Sequence, residues 1–175
     1  MLRFLLPAVA FAVVPATASA QEVFVGVMAH GVNTPLTFDT GERGTDIQVG
    51  VRGKPILNAG VASLRPYALV SKNTKGNTSF AAAGVALTLG LPGFFVRPGV
   101  GIAVHDAPSY RVGADGYRTD YGSRVLFEPE LGVGFTLLPR VTAEVNWTHL
   151  SHAQIFGAQN PGLDMIGTRV TLRLP

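Results

Sequence analysis

Three residues in the C-terminal part of the chain have the side chains used in covalent hydrolysis of esters. His149 and Ser151 are separated by one residue, and Asp164 follows them in the sequence. A serine hydroxyl is a weak nucleophile until a base accepts its proton, and histidine titrates in the range that suits this base. A carboxylate fixes the imidazole tautomer and stabilises the imidazolium form. Because His-x-Ser is common by chance, the elements that position these residues decide whether they act together.

Segments with two unlike faces surround these residues and recur along the chain. In each segment the side chains at every second position are bulky and apolar, while those at the positions between them are small or polar. We call these two sets of alternate positions the two parities of a strand, and such alternation predicts β-strands. The alternation is clear in four segments and weaker in four others, so the sequence predicts eight strands. The clear segments are 46–52, 84–91, 96–104 and 125–136, and the weaker ones lie near 22–30, 62–72, 140–151 and 164–174.

Composition limits the kind of protein that these strands can form. The chain has 175 residues with 21 glycines and no cysteine, and 47% of them are hydrophobic but only 14% charged. The lack of cysteine excludes disulfides and cysteine-based nucleophiles or metal sites. The formal net charge is +3 without a run of Lys or Arg, so we expect no nucleic-acid partner.

The N-terminal residues 1–20 are typical of a secretory signal peptide. They combine Arg3, an apolar stretch from Phe4 to Val14 and Ala18-Ser19-Ala20 as a cleavage site. We therefore expect the folded domain to comprise residues 21–175. Beyond residue 20, no uninterrupted apolar stretch reaches the ~18 residues that a membrane helix needs. An exported, glycine-rich chain of eight strands instead suits a small antiparallel barrel.

Side-chain size indicates which face of the strands points outward. Gly, Ala and Thr dominate the polar parity, as the narrow interior of an eight-stranded barrel requires, whereas a water-facing exterior would carry many Lys and Glu. We therefore predict an all-β fold, an eight-stranded antiparallel transmembrane β-barrel, with its apolar parity in lipid. A soluble lipid-binding barrel would alternate with the same period and is an alternative.

The charged residues of the polar parity are predicted to lie inside the barrel. Charges of both signs should pair and close the lumen, because an unpaired buried charge is costly, and this argues against a porin. The predicted interior charges are Asp46, Glu128, Glu130, Glu144, Arg52, Arg97, Arg169 and Arg173.

The predicted connections differ in length at the two ends of the barrel. Short turns are predicted at 91–93 and 138–140 and a slightly longer one at 53–60, all on the periplasmic side. The longest connection, 106–122, is predicted outside the cell.

The parity of the last two strands places the three chemically active residues on one face. His149 and Ser151 share the outward parity of Trp147, and Asp164 shares that of Ile166. Antiparallel neighbours joined by a loop bring the end of one strand beside the start of the next. A Ser–His–acid group is therefore predicted on the lipid-facing side of the barrel, at the depth of the outer leaflet.

With these residues the chain resembles the outer-membrane lipid A 3-O-deacylases, a family also described as acyloxyacyl hydrolase-like. The resemblance covers the layout of residues 21–175 and is most specific at 147–167, where His149-Leu150-Ser151 is followed by Asn160-Pro161-Gly162-Leu163-Asp164. It implies a serine esterase that removes the 3-O-linked acyl chain of lipid A in the outer membrane, without a cofactor. Ser151 would be the nucleophile, His149 the general base and Asp164 the orienting acid.

The chain departs from the family pattern at two positions. Family members have glutamate where this chain has Asp164, and the loop before this residue is one residue longer here. They have asparagine after the serine, at a position linked to the oxyanion hole, where this chain has His152. His152 can donate a hydrogen bond to the oxyanion, although its parity points inward. The alternative is a non-catalytic small outer-membrane barrel with a structural or adhesive role.

Other candidate binding residues give weaker indications. His30 and His105 lie near extracellular strand ends without paired carboxylates at ligand spacing, so we predict no metal site. Lys72, Lys75 and Arg118 near the outer loops are candidates for contacts with lipid phosphates, or ordinary solvated charges. The expected partner is lipid A, or lipopolysaccharide, in the outer leaflet. Whether the barrel forms a homodimer is left open.

Overall fold

A computed structural model describes residues 21–37, 39–108, 111–112, 118–153, 155 and 160–175. The predicted signal peptide, residues 1–20, lies outside these described residues and stays a prediction. Within the described part of the chain the regular structure consists of strands, and no helix could cross a membrane. Eight strands are long: β1 (Glu22–His30), β2 (Gly44–Arg52), β3 (Ala62–Asn73), β4 (Phe80–Leu91), β5 (Phe94–His105), β6 (Val125–Leu138), β7 (Val141–Leu150) and β8 (Leu163–Arg173). Three are short: Leu57–Ala59, Arg111–Val112 and Arg118–Thr119.

The eight long strands form a closed antiparallel barrel. Each strand pairs with the next one along the chain, and β1 pairs with β8 to complete the ring. Val25 on β1, for example, lies opposite Val49 on β2 and Val170 on β8. The predicted all-β, eight-stranded fold is thereby confirmed. Closure leaves none of the eight long strands with a free edge, which is what a barrel in lipid requires.

The connections differ in length at the two ends of the barrel. At one end β4 and β5 are joined by residues 92–93, and β6 and β7 by residues 139–140, as predicted. The connection over 53–61 is more structured than predicted, because Leu57–Ala59 pairs back onto the start of β3. The other end carries the connections 31–43, 74–79, 106–124 and 151–162, of which all but 74–79 have 12 residues or more. In outer-membrane barrels short turns are periplasmic and long loops extracellular.

The predicted strands are found at the predicted places, with differences at their ends. The largest difference is in β4, which begins at Phe80 rather than Gly84. Residues 81–83 are all alanine, so that no contrast between the two faces exists there to reveal a strand. Pairing of Phe80 with His105 nevertheless extends the strand to its full length.

Apolar side chains cover the outside of the barrel. Val25, Val49, Val70 and Val170 follow one another across four adjacent strands, and each is at least 50% exposed. A soluble protein rarely exposes a continuous apolar surface of this kind. The outward direction predicted for the apolar parity is therefore observed, and the exposed surface suits a lipid environment.

The inside of the barrel is filled by paired charges. The Arg169 guanidinium donates to Glu130 at 2.5 Å, and Arg52 donates to Glu144 at 3.3 Å. Arg97 also donates to Glu144. Because these side chains cross the barrel between non-adjacent strands and are all buried, they close the lumen as predicted.

An aromatic ring separates two of these arginines. The guanidinium carbons of Arg52 and Arg169 lie 4.4 and 5.1 Å from the centre of the Phe24 ring, a distance that allows cation–π attraction. A Cβ atom at Gly50 would lie 2.2 Å from Cζ of Phe24, so that only glycine leaves room for the ring. The absence of a side chain at Gly50 therefore makes room for the aromatic ring between the two arginines.

The prediction that Arg173 lies inside the barrel was wrong. Its side chain is 63% exposed and approaches Glu22 only to 3.9 Å. Arg173 is the last residue of β8 and pairs with Glu22, the first residue of β1, so its inward parity places it at the rim of the barrel. Parity fixes the face of a residue but not its depth.

Replacement of Arg169 by methionine is expected to destabilise the barrel strongly. The change leaves Glu130 buried without its cation, and loss of one partner of a buried ion pair costs roughly 3–5 kcal/mol. The urea midpoint of unfolding, followed by the altered gel mobility of the folded barrel, should fall clearly. Arg173→Met, which removes an exposed arginine from the same strand, is the control. Equal urea midpoints for the two variants would mean that the buried Arg169–Glu130 pair does not stabilise the barrel.

Candidate active site

His149 and Asp164 form a hydrogen-bonded pair across two neighbouring strands. They lie directly opposite each other in the register of β7 and β8, and His149 Nδ1 is 2.8 Å from Oδ1 of Asp164. The residues are 8% and 1% exposed. An ionised carboxylate only accepts hydrogen bonds, so Nδ1 carries the hydrogen and Nε2 keeps a lone pair in the neutral ring. This is the arrangement of an oriented general base.

Ser151 lies on the same face just beyond the end of β7. Its backbone continues the pairing with β6, since its N–H donates to the carbonyl of Phe127 at 3.1 Å and its carbonyl accepts the Phe127 N–H at 2.7 Å. In extended chain, residues two apart lie on one face about 6.5–7 Å from each other. The Ser151 hydroxyl makes no hydrogen bond to His149 or to any other described residue. The structure therefore joins acid and base and places the serine beside them.

Trp147 supports the acid–base pair in a way that the sequence analysis missed. Its indole Nε1–H donates to Oδ1 of Asp164 at 2.9 Å, the same oxygen that His149 contacts. Its ring also stacks on the His149 ring, with centres 5.9 Å apart and planes at 23°. Outward parity had placed Trp147 on this face, but only the cross-strand register shows that its polar edge points to the aspartate.

The loop after β1 covers the other side of the aspartate. Thr34 donates a hydrogen bond to Oδ2 of Asp164, and the Val32 N–H donates to the Asp164 carbonyl at 3.0 Å. Because of this loop the carboxylate is buried rather than open to lipid. Sequence patterns gave no indication of the contact, since loop residues follow no periodicity and Thr34 is 130 residues away from Asp164.

Gly162 brings the chain close to the imidazole at the start of β8. Its φ is +70°, a left-handed conformation that glycine adopts without strain. A Cβ atom here would lie 3.0 Å from both Cε1 of His149 and Cγ2 of Thr37. The missing side chain therefore allows the loops before β2 and β8 to close around His149.

The predicted oxyanion residue, His152, directly follows Ser151 beyond the end of β7. Its side chain is fully buried, in agreement with its inward parity. Its backbone N–H donates to the Asn160 side chain at 3.1 Å. The structure thus places a buried His152 next to Ser151 in the sequence, and its function in oxyanion binding stays a prediction.

A second buried histidine lies inside the extracellular mouth of the barrel. His30 contacts Glu42 through Nε2 at 2.6 Å and Asp46 through Nδ1 at 2.9 Å, so two carboxylates flank it, contrary to the sequence analysis. The Tyr121 hydroxyl donates to Glu42 at 3.1 Å, and burial raises the pKa of this phenol. Both ring nitrogens of His30 are engaged by carboxylates, and no group of three His, Asp or Glu residues in the described segments could hold a metal ion.

The remaining candidates do not join the site. His105 bonds to the Ser123 carbonyl at 2.7 Å, at the mouth of the barrel. Lys72 is exposed and lies 3.8 Å from the Asp106 carboxylate, and Lys75 is also exposed. The side chain of Arg118 lies outside the described part of the structure. None of these positions contacts His149 or Asp164 in the described residues.

The closed barrel and the acid–base pair on its outer face define a small outer-membrane β-barrel with a candidate hydrolytic site. The crystal structure of the outer membrane enzyme PagL is similar in fold, with a TM-score of 0.63, 16% identity, and coverage of 87% of this chain and 99% of that chain. Neisserial surface protein A (NspA) gives a TM-score of 0.54 at 10% identity, covering 87% and 96%. At these identities the similarities establish the fold alone. No curated protein matches the chain.

The family model for lipid A 3-O-deacylase (PagL) matches residues 30–173. The chain belongs to this family. The resemblance inferred from residues 147–167 is thereby confirmed, and the protein is an outer-membrane β-barrel from a family of ester hydrolases. The matched range includes His149, Ser151 and Asp164.

Proposed function

We propose that this protein is a serine esterase that hydrolyses the 3-O-linked acyl chain of lipid A in the outer leaflet. The observation that carries this proposal is the 2.8 Å contact between His149 and Asp164 on the outer face of the barrel, beside Ser151. Family membership suggests the substrate, since the family is described as lipid A 3-O-deacylase. The reaction needs no cofactor, because the three side chains supply nucleophile, base and orienting acid.

In the first half of the reaction the Ser151 hydroxyl attacks the ester carbonyl. Nε2 of His149 accepts the hydroxyl proton, the bond between the carbonyl carbon and the sugar oxygen breaks, and His149 returns the proton to the leaving sugar hydroxyl. Asp164 keeps Nδ1 protonated and stabilises the imidazolium. Substrate binding must bring the Ser151 hydroxyl onto Nε2, as catalytic hydrogen bonds often tighten only in the complex.

In the second half of the reaction water removes the acyl group from Ser151. His149 accepts a proton from the water molecule as its oxygen attacks the acyl carbonyl, and then returns the proton to the serine oxygen. The products are a fatty acid and the free serine. His152 is our candidate donor to the oxyanion, and its buried imidazole would have to turn outward to reach it.

The surroundings of the site suit a substrate that arrives from the bilayer. Ile166 on β8 and Val145 on β7 are exposed on the outer face below the site. Two exposed apolar residues flank it from the loops: Leu36, whose carbonyl lies near Gly162, and Ile155, whose N–H donates to the His152 carbonyl at 2.9 Å. We expect these four side chains to contact the acyl chains of the lipid.

Mass spectrometry of lipid A tests the proposal. Cells with a fully acylated lipid A should lose one 3-O-linked acyl chain when the protein is expressed and keep it when an empty vector is present. Fragment ions identify the position of the lost chain. Unchanged lipid A, in cells where the folded barrel is shown to be in the outer membrane, would contradict the proposal.

A non-catalytic barrel with a structural or adhesive function is the second candidate. The observation that favours it is the Ser151 hydroxyl, which makes no hydrogen bond to His149 among the described residues. It predicts that purified protein in detergent with lipid A releases no fatty acid. Release of fatty acid by the wild-type protein would exclude it.

Replacement of Gly162 by alanine is expected to lower the deacylation rate about 10- to 100-fold, because small displacements of catalytic groups have effects of this size. The added methyl group would lie 3.0 Å from Cε1 of His149. Gly76→Ala is the matched control, since Gly76 has a φ of +75° but no atom within 4 Å of the added Cβ. Fatty-acid release by equal amounts of folded protein compares them. Similar rates of fatty-acid release by the two variants would contradict the prediction, because the close approach of Gly162 to His149 would then have no effect on activity.

A further inference from the structure

The turn at residues 34–37 lies against the aspartate of the proposed catalytic group. Thr34 and Thr37 stabilise this turn, because the Thr34 N–H donates to the Thr37 hydroxyl at 3.3 Å and the Thr37 N–H donates to the Thr34 carbonyl at 3.3 Å. The Val32 N–H donates to the Asp164 carbonyl at 3.0 Å, just before the turn. The turn is therefore fixed both internally and to the start of β8.

The hydrogen bonds of the Thr34 hydroxyl determine the direction of its proton. Its oxygen accepts the Leu36 N–H at 3.1 Å, so its own hydrogen is free to point elsewhere. The neighbouring acceptor is Oδ2 of Asp164. A hydroxyl has one hydrogen to donate, and here it is directed at the carboxylate oxygen that neither His149 nor Trp147 contacts.

The Asp164 carboxylate is consequently held at both oxygens. Oδ1 accepts from His149 at 2.8 Å and from Trp147 at 2.9 Å, and Oδ2 accepts from Thr34. Without the Thr34 bond the plane of the carboxylate would be free to turn about the Cβ–Cγ bond, which would move the accepting oxygen away from Nδ1 of His149. His149 would then lose a fixed partner for its Nδ1–H.

We infer that Thr34 is a positioning residue for the ester hydrolysis proposed above, on which this inference depends: its hydroxyl fixes the Asp164 carboxylate so that the carboxylate keeps the His149 imidazole oriented toward Ser151. Thr34 touches neither the proposed nucleophile nor the base in the described structure. Its hydrogen bond to the catalytic group is made to Asp164, so its contribution can be measured separately from those of Ser151 and His149.

Two substitutions of Thr34 test this inference. Thr34→Val keeps the branched shape but removes the hydroxyl, and we expect kcat to fall about tenfold, the size expected for one lost hydrogen bond to a charged group, with KM changed by less than about twofold. Thr34→Ser keeps the hydroxyl and should restore most of kcat. Thr168→Val, on the exposed outer face of β8, is the control for a loss of a threonine hydroxyl and should leave kcat unchanged.

A double mutant distinguishes a positioning function of Thr34 from a general effect on the structure. In Asp164→Asn protein the added Thr34→Val change should cause no further loss, because the bond it removes acts through the carboxylate. An equal further loss in that background, or wild-type kcat in Thr34→Val, would overturn the inference.

A spectroscopic readout keeps the test independent of activity. In protein labelled with ¹⁵N-histidine, the His149 Nδ1–H proton, assigned by its disappearance in His149→Gln, should exchange faster with water in Thr34→Val but not in Thr34→Ser. Unchanged exchange in Thr34→Val would overturn the inference even if the protein is active. An inactive wild type would instead overturn the proposed function, and the exchange measurement alone would then decide the contribution of Thr34.

Discussion

Replacement of Ser151 by alanine is expected to abolish deacylation of lipid A. Loss of a serine nucleophile in a Ser–His–acid group lowers kcat by about 10⁴-fold or more, since the covalent route no longer exists. The hydroxyl makes no hydrogen bond among the described residues, so its removal should leave the barrel as stable as before. Fatty-acid release by purified protein and the mass of lipid A in cells measure the effect.

Ser63→Ala is the matched control for this experiment. Ser63 is at the start of β3, at the end of the barrel opposite Ser151, and its hydroxyl also lacks a hydrogen-bond partner in the described structure. It should retain full activity. A serine-directed phosphonate should label the wild-type protein and Ser63→Ala but not Ser151→Ala. Deacylation that persists in Ser151→Ala would exclude Ser151 as the nucleophile.

Replacement of Asp164 by asparagine is expected to lower kcat about 10³- to 10⁴-fold, as for the aspartate of a serine hydrolase triad. The change is nearly isosteric, but an amide group can donate to Nδ1 of His149 and thereby favour the tautomer in which Nε2 carries the hydrogen. Nε2 then cannot accept the serine proton. Thr34 and Trp147 each donate a hydrogen bond to the Asp164 carboxylate. The side chain of asparagine has only one oxygen to accept from these two donors.

Asp106→Asn is the control for the loss of a carboxylate near the extracellular end. Asp106 is exposed and 3.8 Å from Lys72, and the amide oxygen of asparagine can still accept the Ser79 N–H that Asp106 accepts at 2.7 Å. Its activity should match that of the wild type. If Asp164→Asn retained more than a tenth of the wild-type kcat, this would contradict the proposal that Asp164 orients His149.

The face of each catalytic candidate could be predicted from the sequence because strands have a strict period of two. His149 and Asp164 share a parity with the lipid-facing residues of their strands, and antiparallel pairing then brings the start of β8 to the end of β7. The structure places the two residues directly opposite each other. The barrel itself followed from the same alternation together with the small size of the interior residues.

The supporting contacts could not be predicted because they depend on the loops. Thr34 and Gly162 act through a turn and a left-handed backbone conformation, and neither leaves a periodic pattern in the sequence. Glu42 escaped notice for the same reason, although it meets His30 inside the barrel. Arg173 shows a different limit, because alternation predicts whether a side chain faces the inside or the outside of the barrel but not its position along the barrel axis.

The contact between Thr34 and Asp164 joins the two ends of the barrel sequence and can form only when the barrel has closed. Thr34 lies four residues after the end of the first strand and Asp164 is the second residue of the last, and these two strands pair with each other at the seam where the barrel closes. A chain in transit through the periplasm, with this seam unformed, lacks the support that its acid receives in the membrane. The proposed positioning by Thr34 would therefore give the full deacylation rate only to barrels that have completed assembly in the outer membrane.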